Sequence, residues 1–451
     1  MQRREVAIVP LAILFSVLTG LGITAAPAVT LSLAAAAVMV IFILMSESAL
    51  VDHLILIALL SGPPRIRARD PLASLQGQTD WVVVLHVIVW LAGAVWVFRE
   101  LFKNRSTAET ESRILRWPHY AGLLLVVLLG LSMAVSPGPL LTGFRVFQIL
   151  VMILFGYFWV ERYGIQRTLQ ALFWGYAILG VVLVAAAVLS PDLVLAGKRM
   201  RGDLIADTGA VGAAGLIALL SCSPSLRRWV FALALLLFSG LLVFSMTRSA
   251  YASVLLFLLL SLMRRPRISA VRGFLVFIGV LVLVLIVSQV LPLVVNWIIR
   301  DPTSLATLSA RVPWWKFLVP IMLRQSPWIG LGFYAAPRVY GLTYSISIGT
   351  AHNALIEVLV GGGVPSGLLF LLIVLGSFLT SFKIFLSNGK SPEVFATFAL
   401  LLAVLSVGIV SEAMIIASPT AVTFWLVVSA IQKLQVQPVT AGTVEGVMPI
   451  A

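Results

Sequence analysis

Apolar stretches of membrane-crossing length follow one another along almost the whole chain. They lie at about 6–23, 28–45, 49–61, 81–98, 119–136, 144–161, 168–190, 207–222, 229–246, 249–263, 272–299, 353–386, 393–412 and 417–434. A spanning helix takes about 20 apolar residues. A bilayer offers no water to unpaired backbone, so such stretches must be helices or a closed barrel. The runs are continuous and do not alternate as lipid-facing strands would, which excludes the barrel. The reading is an all-α, polytopic transmembrane helical bundle of about 12–14 helices. The lower count applies if the short runs 49–61 and 249–263 do not cross. The run 353–386 is longer than one crossing requires.

Composition agrees. Of 451 residues, 61% are hydrophobic and 11% charged, and the mean hydropathy is +1.09. A soluble domain has about 25% charged residues. A soluble enzyme, a nucleic-acid-binding module and a disordered chain are excluded. The pI near 10.6 does not restore nucleic acid as a partner, because the basic residues sit in short loops between apolar runs. The single cysteine, Cys222, leaves the redox compartment unread. Met1-Gln2-Arg3-Arg4 precedes a long apolar stretch that a second follows at once, which favours a retained first helix over a cleaved signal. Residues 1–434 read as one polytopic membrane domain and 435–451 as a loose cytoplasmic tail.

Lys and Arg in short loops set the orientation. Arg3 and Arg4 put the N-terminus in the cytoplasm. Counting spans then places inside Arg99, Lys103, Arg105, Arg113, Arg116, Arg162, Arg167, Arg227, Arg228, Arg264, Arg265, Arg267, Arg272, Lys383, Lys390 and Lys433. Arg65, Arg67 and Arg69 offend the rule by falling outside. So do Lys198, Arg199 and Arg201, Arg248 at the outer end of a hairpin, and Arg300, Arg311, Lys316, Arg324 and Arg338 in the long loop 300–352. Only Asp192, Asp203 and Asp301 lie beside these last nine. A bias broken in three separate loops on one face suggests an anion site at that membrane surface, against the blander reading of interfacial snorkelling.

Arg311-Val312-Pro313-Trp314-Trp315-Lys316 opens a helical run to Arg324 that could lie in the interface with its aromatics at headgroup depth. Ser326-Pro327-Trp328-Ile329-Gly330-Leu331-Gly332-Phe333 follows, and its glycines allow tight turns. Next comes His352, in Gly349-Thr350-Ala351-His352-Asn353-Ala354-Leu355-Ile356-Glu357, and then Gly361-Gly362-Gly363-Val364-Pro365-Ser366-Gly367. His352 is the one histidine in an outer loop near those arginines. Asn353 and Glu357 are four apart and share a helical face. A carboxylate there would orient the imidazole and raise its basicity. A general base beside arginines, which fork onto phosphate oxygens, suits transfer away from a pyrophosphate leaving group. Metal chemistry finds no support in paired outer carboxylates or a His-x-x-x-His, and no Gly-x-Ser-x-Gly marks a serine hydrolase.

The stretch from Arg311 to Gly367 resembles the signature region of the O-antigen ligase and polysaccharide polymerase superfamily. The family pattern is His, then Asn, Ser or Gln, nine residues, Gly, two residues, then Gly, Thr or Tyr. Here His352-Asn353 leads to Gly363, but Ser366 holds the last place. Lys198 to Gly202 resembles the family's Arg-rich turn, with Ala206-Asp207-Thr208 where His-Pro-Asn is usual. Ser245-Met246-Thr247-Arg248-Ser249 resembles its Ser-Arg hairpin tip. The resemblance implies a multi-pass protein of the bacterial inner membrane, with 300–352 as a periplasmic catalytic loop containing short helices. It implies transfer of a glycan from undecaprenyl pyrophosphate to a sugar hydroxyl, without metal or other cofactor. The acceptor would be a lipid A core sugar of lipopolysaccharide, the end of a growing exopolysaccharide or other chain, or a protein.

By the resemblance, His352 is the base, Arg248 grips the pyrophosphate, Arg199 or Arg201 is a second clamp, and Arg311 contacts donor or acceptor. Asn353, Glu357, Lys316 and Arg338 are expected to line the substrate site. The competing reading is a transporter or flippase of a polysaccharide or lipid-linked anion. It would need charge at mid-membrane depth, for which Glu47, Asp52, His86 and Glu412 are the candidates. A purely structural membrane subunit would leave the outer arginines without a role.

Overall fold

The computed structural model describes residues 43–44, 46, 48–61, 81–103, 116–189, 195–196, 199–200, 208–216, 228–245, 311–344, 351–388 and 391–436. The helices are α1 (Ala49–Ser61), α2 (Trp81–Lys103), α3 (Trp117–Leu131) and α4 (Pro139–Leu189), then α5 (208–216) and α6 (Arg228–Ser245). After these come α7 (Arg311–Gln325), α8 (Ala335–Tyr344), α9 (Ala354–Asn388), α10 (Pro392–Val410) and α11 (Pro419–Val436). Short 3-10 turns at Ser132–Val135 and Glu412–Met414 end α3 and join α10 to α11. The other regular element is a two-residue antiparallel ladder, β1 (Leu195–Ala196) with β2 (Arg199–Met200). The all-α membrane architecture read from the sequence holds. Among the described residues, Trp117–Val135, Pro139–Ala185 and Ala354–Asn388 are long and apolar enough to cross a membrane. The expected spans 6–23, 249–263 and 272–299 and most of 28–45 lie outside the described residues.

The spans expected at 144–161 and 168–190 form α4 with a break at Gly164 (φ 74°, ψ 175°). The chain reverses there. Gly156 on the first half and Tyr176 on the second both meet α11, at Trp425 and Thr423. Helix α11 is buried on almost every face, as a helix that is apolar all round must be. A Cβ on Gly156 would sit 2.8 Å from the Trp425 carbonyl carbon. The small residue permits the close backbone approach on which helix packing in membranes relies. Two hydroxyls of α11 are satisfied within the helix. Thr423 donates to the Pro419 carbonyl at 2.9 Å and Ser429 to that of Trp425 at 2.8 Å.

Charge is sorted to the two ends of the bundle. At one end Arg99 on α2 and Arg162 on α4 meet Asp52 on α1 at 2.7 and 3.1 Å. Glu100 lies 3.0 Å from Arg99 and also pairs with Arg162, and the Tyr163 hydroxyl donates to Asp52. Asp52 and Glu100 are buried, so each carboxylate is stabilised only because the guanidinium groups accompany it. Lys433, at the close of α11, donates to the Val160 carbonyl at this same end. The opposite end carries both 3-10 turns, α7, α8 and His352. This is the segregation that loop counting expects. Asp52, one of the charges the transporter reading would use, is consumed in this network. Glu47 lies outside the described residues.

Candidate functional site

The site is built where α9 breaks. Gly363 has φ 81° and ψ 178°, which interrupts the ladder, and Pro365 has no N–H to offer the Gly361 carbonyl. The orphaned carbonyls are taken by the glycine-rich segment that follows α7. Leu331 N–H donates to Val360 O at 2.9 Å and Gly332 N–H to Gly361 O at 3.0 Å. In return Val364 N–H donates to Pro327 O at 2.8 Å. Gly330 (φ 73°) and Gly332 (φ 107°) adopt left-handed backbone. A Cβ on either would meet backbone of Gly361 or Ser136 at 2.5–2.6 Å. Phe333, fully buried, is held at both backbone ends. Its N–H donates to Ser132 Oγ at 3.0 Å and its carbonyl accepts from Thr142 at 2.8 Å. The spacing noticed in the sequence, Gly-x-Gly-Phe and then a glycine eleven places after His352, is therefore the contact between a surface segment and a broken helix.

This contact fixes the start of α9 and the residues before it. Asn353 Oδ1 accepts from Ile356 N–H at 3.0 Å, so Asn353 is the helix N-cap. Glu357 is fully buried. Its Oε2 accepts from Ala351 N–H at 3.0 Å and its Oε1 faces Arg338 at 3.4 Å. The carboxylate at the imidazole is a different one. Glu412, in the turn between α10 and α11, places Oε2 3.4 Å from His352 Nδ1. Sequence reasoning gave that orienting role to the shared helical face of Asn353 and Glu357. The structure instead turns Glu357 towards Arg338 and the Ala351 amide. Burial alone would push the Glu412 carboxyl up. The neighbouring His352 imidazole, with Arg338 further off, outweighs burial and holds it at about 2. His352 has φ 50°, left-handed backbone that costs a non-glycine residue on the order of 1 kcal/mol. Its side chain is one-third exposed beside a Glu412 that is 4% exposed. The ring thus has one edge at Glu412 and remains part-exposed.

Two more guanidinium groups stand behind this pair. Arg338 lies 3.1 Å and Arg145 4.1 Å from the centre of the Tyr334 ring. Arg338 also donates to the Tyr334 carbonyl. Arg145 donates to Tyr334 Oη and to Gln148 Oε1, both at 2.9 Å, and Gln148 Nε2 meets His86 at 2.7 Å. Tyr334 also has positive φ (65°). The result is a continuous polar chain from His86 and Arg145 through Tyr334 and Arg338 to Glu357. Arg145 and Glu412 were missed as site residues. Arg145 carried one available signal: an arginine inside an apolar helix is expensive and functional by default. Glu412 was noted only as a mid-membrane charge.

Helix α7 also departs from expectation. Trp314 is completely buried, and Trp315 Nε1 donates to the Ala351 carbonyl at 2.7 Å. These aromatics pack inward against the α9 break and not outward among headgroups, because Trp314, Leu318 and Met322 form the buried stripe of the helix. Arg311 is one turn before Trp315 on the same face, so it stands at the His352 end. Lys316 is exposed on α7. The backbone of Arg199 is in β2, which packs against α6, the helix leading to Arg248. Arg201 and Arg248 lie outside the described residues.

No curated protein matches the chain. Residues 231–372 match the family model described as O-antigen ligase. That stretch contains Arg248, Arg311, Arg338, His352 and Gly363 but neither Arg145 nor Glu412. The broken helix, the buried Arg338–Glu357 pair and the left-handed His352 all lie in that stretch, and the match of residues 231–372 supports the resemblance to the O-antigen ligase and polysaccharide polymerase superfamily.

Proposed function

We propose that the protein transfers a glycan from a polyprenyl-pyrophosphate donor, undecaprenyl pyrophosphate, to an acceptor hydroxyl, with His352 as general base. The observation that carries this reading is a part-exposed imidazole in strained backbone whose Nδ1 lies 3.4 Å from the buried Glu412 carboxylate. A carbonyl or carboxylate at Nδ1 selects the tautomer in which Nε2 accepts a proton. Nε2 takes the proton of the acceptor hydroxyl as that oxygen attacks the anomeric carbon. The bond from that carbon to the diphosphate oxygen breaks, and the polyprenyl diphosphate leaves with the bonding pair. Arginines offset the charge that grows on the diphosphate. Arg248 and Arg311 are assigned to it, with Arg199 or Arg201 as a further clamp and Lys316 at the rim. Arg338 and Glu357 hold the frame, and Asn353 caps α9. In this reading the His352 end faces the periplasm and the protein sits in the inner membrane.

The test is complementation of a strain lacking the protein by His352→Ala, Glu412→Gln and Arg248→Ala variants, with membrane levels checked by immunoblot. Surface glycan is expected to fall by about 100-fold or more for His352→Ala. Short lipid-linked units that accumulate would identify a polymerase, and full-length polymer retained on the carrier a ligase. Normal glycan from His352→Ala at normal protein level would refute the base assignment.

A further inference from the structure

At the end of the bundle opposite His352, α1 and the second half of α4 enclose a groove of about 330 Å3. It is lined by Ala49, His53, Leu56 and Ile57 on one wall and by Tyr163, Arg167, Gln170, Ala171 and Trp174 on the other. Ala49, His53, Leu56 and Ile57 are one stripe of α1, Arg167, Gln170, Ala171 and Trp174 one stripe of the second half of α4, and Tyr163 joins them from just before the Gly164 break. The lining is graded along the groove. His53, Tyr163 and Arg167 stand near the Gly164 reversal, Leu56, Ile57, Gln170 and Ala171 lie about one turn further along, and Trp174 about two. From Arg167 to Trp174 is roughly 10 Å of helix.

The charge balance is uneven. Among the described residues, Asp52 and Glu100 beside the groove are buried against Arg99 and Arg162, and Glu161 lies 3.9 Å from Lys433. Arg167 is exposed and meets no acid among the described residues. His53 Nδ1 is 2.6 Å from the Ala49 carbonyl, which can only accept, so that nitrogen carries a proton. The ring edge rests on Trp159 and Tyr163, with centroids 5.3 and 5.4 Å away. The imidazole is therefore fixed in place beside Arg167.

We infer that this groove binds a phospholipid with an anionic headgroup. Arg167 forks onto the phosphodiester, His53 and Gln170 supply neighbouring polar contacts, and an acyl chain lies along Leu56, Ile57, Ala171 and Trp174. A guanidinium matches phosphate geometry, a graded groove matches an amphiphile, and basic pockets between membrane helices recruit anionic lipid. In the orientation proposed above, this lipid belongs to the cytoplasmic leaflet. The binding itself does not depend on that orientation or on the transfer reaction.

The test uses the full chain, purified and delipidated in detergent. Thermal unfolding is followed as phosphatidylglycerol, phosphatidylcholine of the same acyl chains, or inorganic phosphate is added. Phosphatidylglycerol is expected to raise the transition in a saturable way, and the other two are not. Arg167→Gln should raise the half-saturating phosphatidylglycerol concentration about tenfold. Arg167→Glu should abolish the shift, and Arg167→Lys should retain most of it. All three variants should unfold near the wild-type temperature without lipid, since Arg167 is exposed and has no ion pair among the described residues. An equal shift from phosphatidylcholine would overturn the inference, as would an undiminished phosphatidylglycerol shift in Arg167→Gln. The same shift from inorganic phosphate would mean a free-anion site and would overturn it too.

Discussion

Gly330→Ala should be among the most damaging small substitutions in the protein, although it adds one methyl group. The new Cβ would lie 2.5 Å from both the Gly361 carbonyl carbon and the Gly363 nitrogen. Both are backbone atoms of the α9 break, so no side-chain rotation relieves the overlap. The residue also has φ 73°, which costs an L-residue about 1–2 kcal/mol. If the segment lifts away, the bonds from Leu331 to Val360 and from Gly332 to Gly361 are lost, at about 1 kcal/mol each. The expected loss is about 3–4 kcal/mol and a fall in the transition temperature on the order of 5 °C or more. Two companion substitutions separate the terms. Gly164→Ala has the same sign of φ (74°) but nothing within 4 Å of its Cβ, so only the strain of about 1–2 kcal/mol remains. Gly240→Ala, in α6 with nothing within 4 Å and no positive φ, should stabilise by about 0.5–1 kcal/mol. The assay is thermal unfolding of detergent-purified protein followed by size-exclusion fluorescence. Equal transitions for Gly330→Ala and Gly240→Ala would refute the reasoning that the segment is seated on the helix break.

The remaining expectations address charge. Glu412 has its carboxyl lowered from 4.5 to about 2, so its contribution is full above pH 4.5 and is lost as the pH falls towards 2. Across that window the wild type should lose about 3 kcal/mol that Glu412→Gln does not. Thermal unfolding of both proteins from pH 6 to pH 2 checks this, and parallel curves would contradict it. Asp52→Asn leaves the buried Arg99 and the part-exposed Arg162 with Glu100 as their carboxylate among the described residues, and should destabilise by about 3 kcal/mol. Glu161→Gln, at a part-exposed pair 3.9 Å from Lys433, should change the transition by less than about 1 kcal/mol. Arg145→Leu removes the donor to Tyr334 and Gln148 and should lower glycan transfer while the protein still reaches the membrane. Wild-type glycan from Arg145→Leu would separate that polar chain from the reaction.

The sequence by itself determined that this is a bundle of apolar helices, where most described helices begin and end, and which loops share an end. Those properties follow from hydrophobic length and from Lys and Arg placement, which are local and additive along the chain. It also marked the two glycine clusters, because a left-handed or close-packed backbone limits the residue type at such a position, and His352, because it stands in an outer loop near arginines. What it could not determine is which face of an apolar helix is turned to protein. Helix α11 and the exposed helix α6 read alike in sequence, yet one is the buried centre, since lipid and protein interior are equally apolar solvents. Nor could it determine partners across the bundle. Glu357 is four residues from Asn353 and looked like the carboxylate for His352, but the break at Gly363 and the turn before α11 bring Glu412 there instead. The inward packing of Trp314 and the stacking of Arg145 and Arg338 on Tyr334 were decided in the same way. Each is a contact between segments far apart in the chain, and only the tertiary packing selects which of several chemically suitable partners is near enough to act.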